Sequence, residues 1–451
     1  MSGTSRRRRK PAGALMGAAV VVALLGGIVS NAEAAEAGSL DRSFGHDGRV
    51  LTDFFGRDDR ARDVAIQDDG KIVAAGEIRK PPPGGGAWPH MGVVRYRRDG
   101  RLDRGFGHRG HALIPLLKDQ EGESLLSWGR AVALQGNGKI VVAGNTDGIA
   151  VARFRKDGRL DRSFGRRGVI RRVVPTGSNR AEDVAIQPDG KIVVIGYTIA
   201  SREEDLFLVR FLRDGSLDPS FGDGGILTTR FGAPADARGY GLAIQADAKL
   251  VVSGTVGNNW IVARFLPDGS LDPSFDGDGI KYSAPTLISE ARDVALQPDG
   301  RIVTAGSGFQ LGRYLPDGSL DESFGDGGAM RVQFSGGRVA GAESLALEGD
   351  GKIVAAGTVV KVRDHPVPLD PHFALARLRS DGSLDRSFGE DGTVTTGFRL
   401  HQRRRPNVHV GDYGQAIAVQ RNGRIVAAGY SQSSESHADF AIARYLGTAS
   451  G

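Results

Sequence analysis

Side chains that could bind a ligand gather in three segments of this sequence, residues 77–90, 358–372 and 430–439. The candidate binding residues in them are Trp88, His90, Asp364, His365, His372 and His437. An indole ring offers a flat surface for stacking, and imidazole groups serve as hydrogen-bonding groups or metal ligands near neutral pH. The alternative is that histidine collects in variable segments by default, because the recurring positions of the chain exclude it. Both interpretations stay open at this stage.

A second candidate site comes from seven residues that stand at one position of a recurring sequence pattern. They are Arg62, Arg130, Glu182, Tyr240, Arg292, Glu343 and Gln415. Each precedes a short apolar segment that contains a central alanine. If these segments surround one axis, the seven side chains meet there. Such a mixed polar lining suits the capture of a small molecule or a peptide.

Sequence signatures of catalysis are missing from the chain. It has no G-x-S-x-G, no H-E-x-x-H and no G-x-x-x-x-G-K-S/T pattern. The Asp-Gly runs at Asp223, Asp276 and Asp326 lack the spaced carboxylates of a calcium loop, and we interpret them as turns. We therefore predict a binding or interaction protein with no catalytic residue, no bound metal and no cofactor. The alternative is an extracellular lyase, hydrolase or quinone-dependent oxidoreductase whose site is assembled from several repeats.

The elements that must position these residues recur seven times between residues 38 and 446. Each copy reads apolar-Ala-apolar-Gln, a polar turn, Lys/Arg-Ile/Leu-Val-x-x-Gly, an apolar segment that ends in Arg, and D-G-x-L-D-x-x-F. Turn pairs such as Asp69-Gly70 accept the positive φ that tight hairpins require. We therefore predict strands a, b and c, at 64–67, 71–73 and 93–96 in the first copy. Strand d is expected at 50–54 and 226–229, and 40–44 is the alternative placement.

Seven copies of four antiparallel strands predict an all-β fold, a seven-bladed β-propeller. A β-helix is the runner-up, although its coils would be shorter and parallel. Strand a would be innermost, where a recurring alanine relieves crowding. The segment at 50–54 would complete the last blade and remove the exposed sheet edges. In this ring His401 and His409 lie on a connection between strands d and a, on the same face as the other variable segments over blades 6, 7 and 1.

Three further residue types recur in every copy, and we interpret them as structural. The arginines that end strand c are Arg95, Arg153, Arg210, Arg264, Arg313, Arg377 and Arg444. The aspartates of the L-D element are Asp41, Asp103, Asp161, Asp218, Asp272, Asp321 and Asp385, and its phenylalanines are Phe44, Phe106, Phe164, Phe221, Phe275, Phe324 and Phe388. A catalytic site needs an asymmetric constellation. Identical residues in each blade instead indicate an Arg–Asp pair or an Asp cap, with the Phe as a core plug.

The N-terminal segment has the pattern of a secretory signal peptide. A basic run at residues 6–10 precedes an apolar run at 14–29 and cleavage options after Ala34, Ala35 or Ala37; a retained signal anchor is the alternative. We therefore assign 1–37 to the signal and 38–451 to a single domain. Cleavage after Ala34 lowers the formal charge from +6 to +2, which argues against a nucleic-acid partner.

The expected location of the mature protein is extracellular. Without cysteine, its stability must come from packing rather than from disulfides. We expect a monomer that has no contact with the membrane after signal cleavage. Its partner would be an extracellular ligand, either a protein or a glycan.

The repeat resembles the delta-60 repeat family of exported bacterial proteins. The resemblance rests on D-G-R-L-D-R-S-F-G at 157–165 followed by A-I-Q-P-D-G-K-I-V at 185–193, and it extends over nearly all of the chain after the signal. Departures are small: Gly105 replaces Ser, Asp276 replaces Gly and Ala248 replaces a turn Gly. The resemblance implies a propeller-like fold and export, and it brings no established activity or active-site residue.

Overall fold

The computed structural model describes residues 36–81, 86–115, 117–118, 124–172, 174, 177–200, 203–232, 235–283, 289–361, 370–398, 409–433 and 437–447. Residues 1–35 of the predicted signal peptide lie outside the described residues, so export and cleavage stay predictions. Within these ranges no helix has the length and apolar character needed to cross a membrane.

The described chain folds into seven four-stranded antiparallel sheets, which confirms the predicted all-β, seven-bladed β-propeller. In chain order, β1 is Arg49–Thr52 and blade 1 contains β2 (Asp59–Ile66), β3 (Ile72–Lys80), β4 (Trp88–Tyr96) and β5 (His111–Leu113). A two-stranded hairpin follows, β6 (Leu117–Lys118) and β7 (Ser124–Leu125). Blade 2 contains β8 (Trp128–Leu134), β9 (Ile140–Asn145), β10 (Ile149–Phe154) and β11 (Val169–Arg172), and blade 3 contains β12 (Ser178–Ile186), β13 (Ile192–Ala200), β14 (Glu203–Phe211) and β15 (Ile226–Thr229).

The remaining blades repeat this order of strands a, b, c and d. Blade 4 contains β16 (Ala237–Ile244), β17 (Leu250–Val256), β18 (Asn259–Phe265) and β19 (Ile280–Tyr282), and blade 5 contains β20 (Ala291–Leu296), β21 (Ile302–Gly306), β22 (Gln310–Tyr314) and β23 (Ala329–Arg331). Blade 6 contains β24 (Gly337–Leu347), β25 (Ile353–Lys361), β26 (Asp370–Leu378) and β27 (Thr393–Thr396), and blade 7 contains β28 (His409–Val419), β29 (Ile425–Ser433) and β30 (Ala438–Tyr445). Because the paired strands are antiparallel, the β-helix alternative is excluded.

Strand β1 closes the ring as the outermost strand of blade 7. It pairs antiparallel with β30, with Arg49 opposite Ala443 and Thr52 opposite Phe440. This confirms the placement of strand d after the F-G element. The alternative at 40–44 is wrong, since those residues form turns and a single bridge from Leu40 to Tyr445.

The core lies between neighbouring blades. One buried cluster joins Val141 and Phe164 of blade 2 to Val194 and Phe207 of blade 3, and the other clusters repeat this arrangement around the ring. The recurring Phe of the L-D element is fully buried in all seven blades, as predicted. Each blade therefore depends on its neighbour to cover its apolar face.

The recurring Arg and Asp form a buried ion pair in every blade, which confirms their structural interpretation. In blade 4, Arg264 Nε donates to Asp272 Oδ2 at 2.7 Å, and the guanidinium carbon lies 4.8 Å from the centre of the Phe275 ring. Asp272 Oδ1 also accepts the Ser274 N–H at 3.0 Å. Arg264 Nη1 donates to the carbonyl oxygen of Pro316 in blade 5. The ion pair thus joins the turn of one blade to the next blade.

Strands b and c extend into the three variable segments at 77–90, 358–372 and 430–439. In blade 1, β3 and β4 stay paired as far as Lys80 and Trp88, and in blade 6, β25 and β26 stay paired as far as Lys361 and Asp370. In blade 7, β29 extends to Ser433. These segments are therefore not loops throughout, because residues between the recurring positions of the repeat can still pair in the ladder. His409 likewise belongs to β28, and not to a loop.

Candidate functional site

A β-bulge at the same point of every innermost strand directs one side chain toward the axis. In blade 1, Ala61 pairs with Gly76 and Asp63 pairs with Ala75, so Arg62 has no opposite residue. The same register shift leaves out Arg130, Glu182, Tyr240, Arg292, Glu343 and Gln415 in the other blades. These seven residues line one cavity of about 250 Å³. The structure therefore brings together all seven residues that the sequence placed at the axis; what they bind stays a prediction.

The glycine that ends each Lys/Arg-Ile/Leu-Val-x-x-Gly motif allows this bulge to form. A Cβ atom on Gly76 would lie 1.9 Å from the carbonyl oxygen of Arg60 on the adjacent strand. The equivalent distances in the other blades are between 1.8 and 2.1 Å, at Gly144, Gly196, Gly254, Gly306, Gly357 and Gly429. Only glycine fits such an approach. The recurring glycine of this motif is therefore required for the bulges that shape the cavity.

Three charged side chains of the axial cavity make no direct ion pair or hydrogen bond within the described residues, although the charge of Arg292 acts on Glu343. Arg130, Glu182 and Glu343 have neither a hydrogen-bond nor an ion-pair partner among the described residues. Arg62, in contrast, donates through Nη1 to Gln415 Oε1 at 2.8 Å and lies 3.7 Å from Glu77 Oε1. The cavity therefore presents groups of both signs that can still bind a charged ligand.

On the opposite side of the axial cavity the polar side chains are paired with each other. Tyr240 OH donates to Glu290 Oε1 at 2.9 Å, and Arg292 pairs with Glu290 Oε2. The Arg292 guanidinium also lies 4.6 Å from the centre of the Tyr240 ring. These contacts hold Tyr240 and Arg292 in place, so that a ligand would meet a fixed wall at blades 4 and 5.

Burial, together with neighbouring charges, shifts the pKa values of two residues of the axial cavity. Burial and the neighbouring Arg130 lower the pKa of Arg62 below its usual value. Burial raises the pKa of Glu343, and Glu290 and Glu182 add to this effect while Arg292 opposes it. An anion beside Arg62 and Arg130, and a cation beside Glu343, would both reverse these shifts.

A groove of about 430 Å³ continues from the axial cavity across blades 1 to 3. Arg62 and Arg130 line both spaces, and the groove adds Arg60, Arg180 and the half-buried Trp128. Arg60 is paired with Glu77 at 2.8 Å, whereas Arg180 has no partner within the described part of the chain. This side of the cavity is therefore cationic. The sequence did not single out the groove, because its residues precede the bulge by two positions or come from other strands.

Three aspartates one residue beyond the bulge connect the innermost strands. Their Oδ2 atoms accept backbone N–H groups of the next blade: Asp63 from Val132 at 2.7 Å, Asp183 from Leu242 at 2.8 Å and Asp293 from Leu345 at 2.7 Å. Each Oδ1 accepts the N–H of the residue that follows the aspartate. Sequence reasoning missed this role, although the alternation of Asp with Ala, Gly or Ser at this position was a visible signal.

The candidate binding residues predicted in the three variable segments lie apart from one another in the structure. His90 is buried on β4, with Nδ1 3.3 Å from the carbonyl oxygen of Ile114, and burial lowers its pKa. His372 on β26 places Nδ1 3.0 Å from the carbonyl oxygen of Asp370. His437 is exposed, with Nδ1 3.7 Å from Asp58 Oδ1.

Among the described residues, the other candidates from these segments do not form a common site. Trp88 is half-buried at the start of β4. Asp364, His365 and His401 lie outside the described residues. Across the described ranges, no group of three His, Asp or Glu side chains is arranged to hold a metal ion. The axial cavity, rather than the three variable segments, is therefore the candidate functional site.

Six segments of the chain match a family described as "Domain of unknown function (DUF5122) beta-propeller". They are residues 135–164, 187–221, 245–275, 297–324, 369–388 and 420–447, one in each of blades 2 to 7. Five of them end at the recurring Phe of the L-D element. These segments are thus similar to the repeats of a β-propeller family. No curated protein matches the chain.

Several solved structures are similar to the chain at low sequence identity. Catalytically inactive virginiamycin B lyase from Staphylococcus aureus with quinupristin is 10% identical with a TM-score of 0.49, over 88% of this chain and 98% of its own. A protein of unknown function from Dyadobacter fermentans is 11% identical with a TM-score of 0.45, over 89% and 98%. A gluconolactonase from Xanthomonas campestris is 14% identical with a TM-score of 0.37, over 71% and 88%. Because all three TM-scores are below 0.5, this likeness carries no argument about the fold or the activity.

Proposed function

We propose that this chain is an exported, delta-60-type binding propeller that captures a small zwitterionic molecule, such as an amino acid or a short peptide, in its axial cavity. The observation that carries the proposal is the presence of unpaired Arg130, Glu182 and Glu343 in one cavity of about 250 Å³. A single anion would leave the carboxylates unbalanced, and a single cation would leave Arg130 unbalanced. A ligand with both charges balances both.

The arrangement of charges gives the ligand a direction. Its carboxylate faces Arg62 and Arg130 on blades 1 and 2, where the adjoining groove adds further arginines. Its ammonium group faces Glu343 on blade 6, across the axis. Charge-assisted hydrogen bonds of this kind supply both affinity and orientation. A longer peptide would extend from the cavity into the groove.

Calorimetric titration of the mature chain with tripeptides tests this proposal. We expect binding of tripeptides with free termini and a loss of affinity of at least about tenfold when either terminus is blocked. The Arg130→Gln variant should lose the preference for a free carboxylate, and Glu343→Gln the preference for a free ammonium group. Arg104→Gln, which changes an exposed arginine outside the cavity, is the matched control. Equal affinity for free and blocked peptides would contradict the proposal.

An extracellular propeller enzyme remains the second candidate, because Glu343 has a raised pKa beside Arg292 and could serve as a general acid. Product analysis after incubation of the tripeptides with the mature chain separates the two. Unchanged tripeptides support the binding protein. Cleavage or elimination products that disappear in Glu343→Gln support the enzyme.

A further inference from the structure

A second large cleft lies at the outer rim between blades 1 and 2, away from the axis. Its volume is about 1060 Å³, and its cationic side chains are Lys80, Arg155, Arg159, Arg162 and Arg167. None of the described residues that line it is acidic. We call it the outer cleft.

The cations of the outer cleft are poorly neutralised. Asp157 reaches only Arg155 and Arg159, at 3.8 and 4.0 Å. Lys80, Arg162 and Arg167 have no ion-pair partner within the described part of the chain. Burial lowers the pKa of the buried His111, and His108 and Lys80 lower it further. The site is therefore ready to receive negative charge.

Comparison among the blades shows that the turn itself does not require these arginines. Where blade 2 has Arg159 and Arg162, blade 3 has Ser216 and Pro219, and blade 4 has Ser270 and Pro273. Arg167 has a φ of 57°, and the equivalent Gly224 and Gly327 have φ values of 59°. Arginine at such a position is mildly strained compared with glycine. The same turn thus forms without these cations in blades 3 and 4. Blade 1 also carries arginines at the three positions, Arg101, Arg104 and Arg109, but they do not line the outer cleft.

The cations extend over the height of the blade. Lys80 ends strand β3 at the edge where strands b and c connect, whereas Arg155 follows β10 at the opposite edge. Strand β5, with His111 to Leu113, forms the wall between them. A ligand that pairs with the cations at both edges of the blade must be extended and must carry several anionic groups.

We propose that the outer cleft binds a chain of an acidic glycan, that is, a polysaccharide with repeated carboxylate or sulfate groups. A nucleic acid is disfavoured because no exposed Phe, Tyr or Trp ring, on which bases stack best, lines the cleft among the described residues; the exposed ring there is the imidazole of His108. Phe154 is fully buried, and Phe55 is half-buried with its ring 5.8 Å from that of His111. This site is independent of the axial cavity and does not rest on the function proposed for it.

Titration of the mature chain with galacturonic acid oligomers and with dextran sulfate tests the proposal and separates carboxylate from sulfate recognition. We expect binding of at least one of them, a rise in affinity with oligomer length, and no binding of neutral dextran. The variant Arg159→Glu with Arg162→Glu should weaken binding at least tenfold. The matched control, Arg101→Glu with Arg104→Glu, makes the same charge change at the same repeat positions of blade 1, outside the cleft. It should change the affinity less than twofold.

Several outcomes would overturn the proposal. Equal losses in the two double variants would show attraction to overall charge only. Inorganic sulfate that displaces the oligomers at equal concentration would show a site for small anions only. Tighter binding of single-stranded DNA than of either glycan would assign the cleft to another polymer. All four substituted residues are exposed, so matching melting temperatures should show that the variants remain folded.

Discussion

At the scale of single residues, the carboxylates of Asp63, Asp183 and Asp293 combine a structural role with an unusual titration. Burial raises the pKa of Asp63 to about 7 and that of Asp293 to about 6. Burial also raises the pKa of Asp183, and repulsion by the carboxylates of Asp293 and Asp63 raises it further. In the unfolded chain such carboxyls titrate near pH 4. Between roughly pH 4 and pH 7 the folded chain therefore holds protons that the unfolded chain has released, and its free energy of unfolding falls as the pH rises.

We predict that Asp63→Asn reduces this fall. The free energy of unfolding of the variant should decrease between pH 4 and pH 7.5 by about 2 kcal/mol less than that of the unchanged chain. Urea denaturation at pH intervals measures both profiles. Asp68→Asn, at a strongly exposed side chain, is the control and should give a profile parallel to that of the unchanged chain. Parallel profiles for Asp63→Asn as well would show that Asp63 does not titrate in this window.

The aspartates of the L-D element affect stability at lower pH than Asp63, Asp183 and Asp293 do, and Asp218 is an example. Although burial opposes it, the hydrogen bonds from Ser220 and Lys191 and the charge of Arg210 lower the pKa of Asp218 to about 2. The stability that such a carboxylate contributes is present above its unfolded pKa and is lost as the pH falls toward 2. The two sets together place the maximum of stability on the mildly acidic side of neutrality.

At the scale of elements, the bulge in strand a is the feature that the sequence revealed only in part. The position of Arg62 and its six equivalents was readable because they share one spacing to the central alanine. The bulge itself could not be predicted, because an extra residue in one strand can be recognised only when its pairing with the partner strand is known. The strand extensions at 77–80 and 88–90 were missed for a related reason. Variable length suggests a loop, whereas backbone pairing depends little on which side chains are present.

We predict that Gly196→Ala disrupts the bulge of blade 3. Its Cβ would lie 1.8 Å from the carbonyl oxygen of Arg180, so the strands must separate and Glu182 must move. The free energy of unfolding should fall by about 2–3 kcal/mol. Gly136→Ala is the control, since a Cβ there meets nothing within 4 Å and its φ is not positive. Chemical denaturation compares the two, and a similar small effect in both would contradict the role of the glycine.

At the scale of the whole molecule, the fold was predictable because seven copies of one pattern support each other. The buried Phe and the Arg–Asp pairs followed from the same repetition. The outer cleft was missed because Arg159 and Arg162 lie in a repeated turn, and repetition was interpreted as scaffold. Ring formation places the turn of blade 2 against strand β5 of blade 1, and no local pattern contains this juxtaposition. The signal that could have found it is the density of arginine in this turn of blades 1 and 2 compared with Ser216 and Pro219 in blade 3.

We predict that deletion of residues 38–54 opens the ring. Blade 7 would lose β1, and with it the pairing to β30 and the ion pair of Asp41 with Arg444 at 2.9 Å. The exposed edge of β30 should cause aggregation and loss of a single cooperative melting transition. Scanning calorimetry and light scattering measure these effects. A synthetic peptide of residues 36–55 added in trans should restore the transition, and an unchanged melting curve of the deletion variant would contradict the role of β1.

The pairing of β1 with β30 also has a consequence for the time course of folding. Blades 1 to 6 each form from a continuous stretch of chain, whereas Asp41 and Arg444 are 403 residues apart. The entropy of closing a loop grows only logarithmically with its length, so this distance adds little to the equilibrium cost. Contacts between distant residues nevertheless form slowly. Closure of the seventh blade should therefore be the last step, and the ring should spend the preceding interval as an open arc with a free strand edge.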